Sequence, residues 1–342
     1  MRYRLLGRSG LRVSELCLGT MTFGASGWGT TEDDAATMVE AFRDAGGNFF
    51  DTANEIYAGG RSEEILGRLV RGGERERVVI ATKYGLHPPG GGDPNLAGNH
   101  RKSLKRSIEA SLRRLATDHV DLLWTHCWDG VTPVDEVMRA LDDLVRQGKV
   151  LHIGVSNTPA WVVARSNTLA ELRGWTSFIG LQVEYSLVER TAERELLPMA
   201  RALGLGVAAW SPLGSGILSG KYADPAGHEG EAARLRTVPM RALDDRSLQV
   251  ARGVAALAAE LERPAAQVAL NWLRQRDGVI PLLGARTPVQ LQGNLGCLDF
   301  NLDATSRAQL DALSAVEAGY PHDYLRRTGP LARPGIELPP EA

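Results

Sequence analysis

The chain has 342 residues, 43% of them hydrophobic and 23% charged, with a formal net charge of -2. That length buries a large core without covalent staples, and the near-neutral balance offers no basic field for nucleic acid. The three cysteines, Cys17, Cys127 and Cys297, are far apart with no ligand-like spacing, so neither a disulfide framework nor a metal site is expected. The charged start, Met1 to Gly10, has no apolar run, and no stretch approaches the length of a membrane span; a cytoplasmic location away from the membrane is expected.

In chain order, Tyr3–Leu6 and Leu11–Val13 flank Gly7-Arg8-Ser9-Gly10 and predict a hairpin. Eight β-rich runs follow: Glu15–Leu18, Asn48–Asp51, Val78–Lys83, Val120–His126, Val150–Ser156, Ile179–Tyr185, Gly206–Ser211 and Gly278–Leu283. Several are continuously apolar, as strands covered on both faces require. Helical patterns separate them, at Thr31–Ala45, Ser62–Val70, Arg101–Leu115, Val134–Gln147, Ala192–Leu203, Leu248–Leu261, Pro264–Arg276 and Thr287–Leu295. Most strands start about one βαβ unit apart, so the prediction is α/β, a single (β/α)8 TIM barrel domain over 1–342. A long loop, Pro212–Asp245, precedes the last strand, and 319–342, with five prolines, is expected to be an irregular tail.

In a barrel, chemistry sits where strands run into their following loops. Strand two ends at Asp51, strand three at Lys83 and strand four at His126, and Tyr57 lies in the loop after strand two. A hydroxyl, a cation, a carboxylate and an imidazole make a proton-transfer set. A lysine about 4 Å from a phenolate interacts with it by roughly 4 kcal/mol at an effective dielectric near 20, enough to lower a tyrosine pKa of about 10 by as much as about three. Asp51 would hold Lys83, and His126 would donate a hydrogen bond to a carbonyl oxygen. Each residue alone has a structural reading, as an ion pair, a packed ring or a core histidine. Together on one rim they favour function.

These segments resemble the aldo-keto reductase family, over roughly Tyr3 to Val316. The resemblance is carried by GGNFFDTANEIYAGGRSEEILG at Gly46–Gly67, and then by IATKYG (Ile80–Gly85), VDLLWTH (Val120–His126), GKVLHIGVSN (Gly148–Asn157), LQVEYS (Leu181–Ser186), WSPL (Trp210–Leu213), LSGKY (Leu218–Tyr222) and IPLLGAR (Ile280–Arg286). It looks closest to a bacterial branch related to potassium-channel β-subunits. The resemblance implies Tyr57 as general acid, Lys83 tuning it, Asp51 holding Lys83 and His126 orienting the carbonyl, with NADP(H) as hydride carrier. Ser156, Asn157 and Gln182 match positions that bind the carboxamide, and Trp210 matches the aromatic that stacks on the nicotinamide. Gly19, Thr20 and Met21, after strand one, and Pro212 belong to the same cofactor set.

The phosphates need donors. Ser211, Leu213 and Gly216 lie in a glycine-bearing loop whose backbone N–H groups can form an anion-binding concavity, with Lys221 adding charge. Gly284-Ala285-Arg286-Thr287 runs into a helix with Gln290 and Asn294, and Arg286 can pair with a 2′-phosphate, favouring NADP over NAD. No GxGxxG follows an early strand, which disfavours a Rossmann site. Ser156-Asn157 also reads as a helix N-cap.

One departure from the family pattern matters. Tyr57 falls six residues after Asp51, whereas the family usually has five; Glu55 and Ile56 share the space of one residue, and Ile56 takes the usual register. The expectation is a bulge that Gly59-Gly60 absorb, leaving Tyr57 pointing inward. Trp28, Phe23, Tyr84 and Trp128 are candidates for an aromatic substrate pocket. The expected partner is a small-molecule carbonyl. The pattern fixes no oligomeric state. The competing readings are a keto-sugar nucleotide reductase and an NADP-binding regulatory or redox-sensing subunit of slow turnover.

Overall fold

The computed structural model describes residues 1–88, 90, 92–221 and 243–336. Strands β1 (Tyr3–Leu5) and β2 (Arg12–Ser14) pair antiparallel, with Tyr3 opposite Ser14. Eight parallel strands then close a barrel: β3 (Cys17–Gly19), β4 (Phe49–Asp51), β5 (Val79–Tyr84), β6 (Val120–Thr125), β7 (Val150–Ser156), β8 (Gly180–Glu184), β9 (Gly206–Trp210) and β10 (Val279–Leu283), with β10 pairing back onto β3. The chain is a (β/α)8 TIM barrel with an N-terminal hairpin, as its strand spacing predicts.

Side chains alternate across every strand, and the core divides accordingly. Cys17, Phe49, Val79, Ala81, Leu122, Trp124, Ala208 and Ile280 form an inner cluster with Leu6 and Val13 of the hairpin segment. Their immediate neighbours Leu18, Phe50, Ile80, Leu123, Val207 and Ala209 belong to the outer cluster that packs under the helices. The hairpin thus plugs one end of the barrel. Trp124 fills its centre, and two glycines make room for it. A Cβ on Gly154 would lie 2.3 Å from the Trp124 ring, and one on Gly180 2.9 Å from it.

Helices α1 (Glu32–Asp44), α2 (Arg61–Leu69), α3 (Arg101–Leu115) and α4 (Val134–Arg146) lie close to the sequence-predicted spans. The structure adds α5 (Ala160–Arg173), whose apolar period is broken: Trp161 and Leu172 face solvent while Ser166 and Asn167 are buried. Helix α6 (Leu196–Leu203) follows a separate 3-10 turn at Thr191–Glu193. Then come α7 (Asp245–Glu260), α8 (Ala265–Arg274), α9 (Pro288–Leu295) and α10 (Ala304–Leu313). The expected irregular tail is corrected in part, since α11 spans His322–Ala332 with Pro330 inside it. Of the long loop before β10, residues 222–242 lie outside the described set, as do 337–342.

Candidate active site

The alternation that builds the inner core also builds the site. Asp51, Lys83, His126, Gln182 and Trp210 each fall an even number of residues beyond an inner-cluster member of the same strand or in register with one, so they share its inward side. Asp51 and Lys83 are almost fully buried and form an ion pair. The Lys83 ammonium also donates to the Thr52 carbonyl at 2.7 Å, and Gln182 Nε2 donates to Asp51 Oδ1 at 2.9 Å. Burial disfavours the Lys83 charge, but Asp51 and then Tyr57 outweigh it, and its pKa is raised.

Tyr57 reaches this group. Its ring centre lies 5.0 Å from Lys83 Nζ, so the ammonium charge faces the phenol ring. The extra residue is absorbed in a turn, with Tyr57 N–H bonded to the Asn54 carbonyl at 3.0 Å. Ala58, Gly59 and Gly60 then take φ values of 52°, 66° and 94°, a left-handed run that glycine permits. The Tyr57 pKa moves upward, opposite to the shift expected from the sequence. Burial raises the Tyr57 pKa more than Lys83 lowers it, and Asp51 adds to the rise, so the phenol is held protonated.

The His126 ring packs edge-on to Tyr57 with centres 6.3 Å apart. Burial, with the Lys83 charge nearby, pushes its pKa down to about 3, so the imidazole is neutral. Its Nδ1 is buried and has no hydrogen-bond partner among the described residues. Asn157, itself left-handed at φ 46°, donates to the His126 carbonyl at 2.9 Å and accepts from Trp210 Nε1 at 3.2 Å. Neither Ser156 nor Asn157 caps α5, which begins after Pro159 without a side-chain cap. The Ser156 hydroxyl is instead buried with no partner among the described residues.

A cleft of about 520 Å³ runs from Tyr57, His126 and Asp51 past Asn157, Gln182 and Trp210 to Gly284, Arg286, Gln290 and Asn294. Gly19, Met21, Ser211, Pro212, Leu213, Gly216 and Lys221 also line it. Thr20 does not. One residue past Gly19, it turns outward and bonds to the Asp51 carbonyl and the Ser62 hydroxyl. Tyr84 is misplaced for the same reason. It follows Lys83, faces the outer core and is fully buried, so it is no substrate-pocket residue. Phe23 is likewise in the outer core. Trp28 and Trp128 are half-buried and absent from the cleft lining, and Trp128 packs edge-on against Trp161 at 5.5 Å.

Sequence reasoning missed Thr22, Ser215, Ser219, Pro264, Ala266 and Leu270 in that lining. Ser215 (φ 58°) bonds through its N–H to Ser211 Oγ at 3.0 Å, a backbone turn that no motif announces. Thr22 binds the Ala285 carbonyl at 2.8 Å, a contact between distant loops. The Pro264-Ala265 helix start was legible, but not that it borders the cleft.

A buried lysine-carboxylate pair under a tyrosine, beside a neutral histidine at the C-terminal rim of a barrel, can be set against known proteins. The aldo/keto reductase family model matches residues 15–315. The chain belongs to the aldo/keto reductase family. It is 39% identical to the norsolorinic acid reductase stcV of Emericella nidulans, over 93% of this chain and 82% of that one. It is 36% identical to an aryl-alcohol dehydrogenase of Pestalotiopsis microspora, over 97% of this chain and 87% of the relative. It is 40% identical to the oxidoreductase YrpG of Bacillus subtilis, over 89% and 93%. Family membership and these relatives make it an oxidoreductase acting on a small molecule. They include fungal reductases and do not bear on a kinship with channel β-subunits. No described helix is long and apolar enough to cross a membrane.

Proposed function

We propose that the protein is an NADP(H)-dependent reductase that converts an aldehyde or ketone to an alcohol, with Tyr57 as the proton donor. The observation that carries this reading is Tyr57, its ring 5.0 Å from the buried Lys83 ammonium, in the same cleft as Arg286. The residues present fit a nicotinamide dinucleotide. Among the described residues, Asn157 keeps one amide hydrogen and one lone pair beyond its bonds to His126 and Trp210, and buried Ser156 has an unspent hydroxyl. Trp210 offers a flat face at the cleft wall. The Ser211–Gly220 turn, with Ser211, Ser215 and Gly216 left-handed, can aim backbone N–H groups at phosphates. Arg286 and the start of α9 would take a 2′-phosphate, which favours NADP over NAD.

Such a cofactor, when bound, supplies hydride to the carbonyl carbon. Tyr57 gives its proton to the carbonyl oxygen. A raised pKa keeps that proton in place at neutral pH, and the Lys83 charge stabilises the phenolate that remains. His126 stays neutral, and the tautomer protonated at Nε2 leaves only a bare lone pair at unpartnered Nδ1; it donates to the same oxygen and fixes its direction. Asp51 keeps Lys83 charged and in place.

The name of the aryl-alcohol relative favours an aromatic carbonyl as substrate. The narrower kinship with the β-subunit-like bacterial branch rests on the sequence motifs alone. A cytoplasmic location fits the three free cysteines. The test is NADPH oxidation against a panel of aryl aldehydes and ketones. Turnover is expected; tight NADPH binding with no turnover on any member would favour a sensor instead.

A further inference from the structure

We propose that Arg114, acting through Glu55, is a positioning residue for Tyr57; the inference rests on Tyr57 being the proton donor. Tyr57 sits on a loop whose next three residues are left-handed, one of them an alanine, a conformation the surroundings must hold in place. The Arg114 side chain, from the end of α3, touches that loop on both sides of Tyr57. Its guanidinium donates to Glu55 at 3.0 Å, two residues before the tyrosine. Its stem crosses Gly60, three residues after, so closely that a Cβ there would lie 2.6 Å from Arg114 Cδ.

The arginine is itself fixed. Its Nε donates at 2.7 Å to Glu63, whose side chain is fully buried. The other oxygen of Glu63 accepts from the Thr82 hydroxyl at 2.6 Å, and Thr82 immediately precedes Lys83 on β5. One chain of contacts, Thr82 to Glu63 to Arg114 to Glu55, thus ties the tyrosine loop to the strand that carries the lysine. Glu55 belongs to the pair of residues that lengthens this loop, so the added length brings the grip that offsets its freedom. Glu55 and Arg114 are mostly buried, which limits screening of their contact by solvent.

Glu55 is the residue to change, because removing Arg114 strips buried Glu63 of its counter-charge and threatens folding. Single-turnover NADPH oxidation by benzaldehyde and NADPH affinity are measured for Glu55→Ala, Glu55→Gln, Tyr57→Phe and the Tyr57→Phe/Glu55→Ala double variant. Glu55→Ala is expected to slow hydride transfer by roughly ten- to a hundredfold, the scale for a misplaced catalytic group, with NADPH affinity unchanged. Glu55→Gln keeps an acceptor for Arg114 and retains most of the rate. In the Tyr57→Phe background Glu55→Ala costs nothing further, since residues acting as a unit are non-additive. A wild-type rate in Glu55→Ala, or an equal added loss without the tyrosine hydroxyl, overturns the positioning role. Tyr57→Phe at the wild-type rate removes the acid assignment and this inference with it; a slow Tyr57→Phe beside a fast Glu55→Ala removes this inference alone.

Discussion

The Lys83 ammonium sits 5.0 Å from the centre of the Tyr57 ring while ion-paired to Asp51 on its other side. The pair is almost fully buried, so little of either charge is exposed to solvent. Removing one partner of such a pair costs about 3–5 kcal/mol, because the survivor is left charged and alone. Lys83→Met should therefore lower stability by about that amount in urea titration and slow carbonyl reduction by about a hundredfold or more. A variant with unchanged urea midpoint and rate would contradict the arrangement.

The pH profile should be plain on the acid side. His126 takes a proton only near pH 3, so it is neutral, and able to donate from one nitrogen, through the whole physiological range. The rate of the hydride-transfer step should show no inflection near the ordinary histidine pKa of about 6.5. On the alkaline side the general acid is lost as Tyr57 ionises, and its raised pKa moves that loss above pH of about 10. A fall in rate between pH 7 and 9 in single-turnover reduction would contradict a protonated, buried phenol.

The barrel interior makes a separate claim about stability. Gly154 lies against Trp124, and a methyl group there meets ring carbon at 2.3 Å. Overpacking of a well-filled core costs typically about 1–3 kcal/mol, so Gly154→Ala should lower the urea midpoint without changing its slope. An unchanged midpoint would mean that the indole can move aside.

Cofactor choice is tested at the far end of the cleft. Arg286→Ala should weaken NADPH binding by about tenfold or more, while NADH binding changes little, since a charge-assisted contact to phosphate is worth roughly 1.5–3 kcal/mol. Equal losses for both dinucleotides in fluorescence titration would remove the basis for preferring NADP.

Strand alternation explains how much of this was legible beforehand. Val79, Ala81 and Lys83 point inward, so a lysine at the end of an apolar run is a site residue by parity alone. The same parity, applied one residue further, turns Tyr84 and Thr20 outward; Tyr84 was drawn in by its aromatic type and Thr20 by its place after strand one. Burial was the missing quantity for Tyr57. From the sequence the Lys83 and Asp51 charges were visible but their burial was not, so the pKa shift was read downward, whereas desolvation dominates it. Helix α5 was missed because exposed Trp161 and buried Ser166 and Asn167 blur its period. The grip of Arg114 on Glu55 spans 59 positions and has no local signature.

The most direct test of the account is single-turnover oxidation of bound NADPH by Tyr57→Phe beside the wild type. The hydroxyl is the only group removed, and the ring that packs on Lys83 and His126 remains. The account predicts that hydride transfer to the carbonyl falls by about a hundredfold or more while NADPH binds as before. A wild-type rate in Tyr57→Phe would contradict it and move the proton donor elsewhere in the cleft.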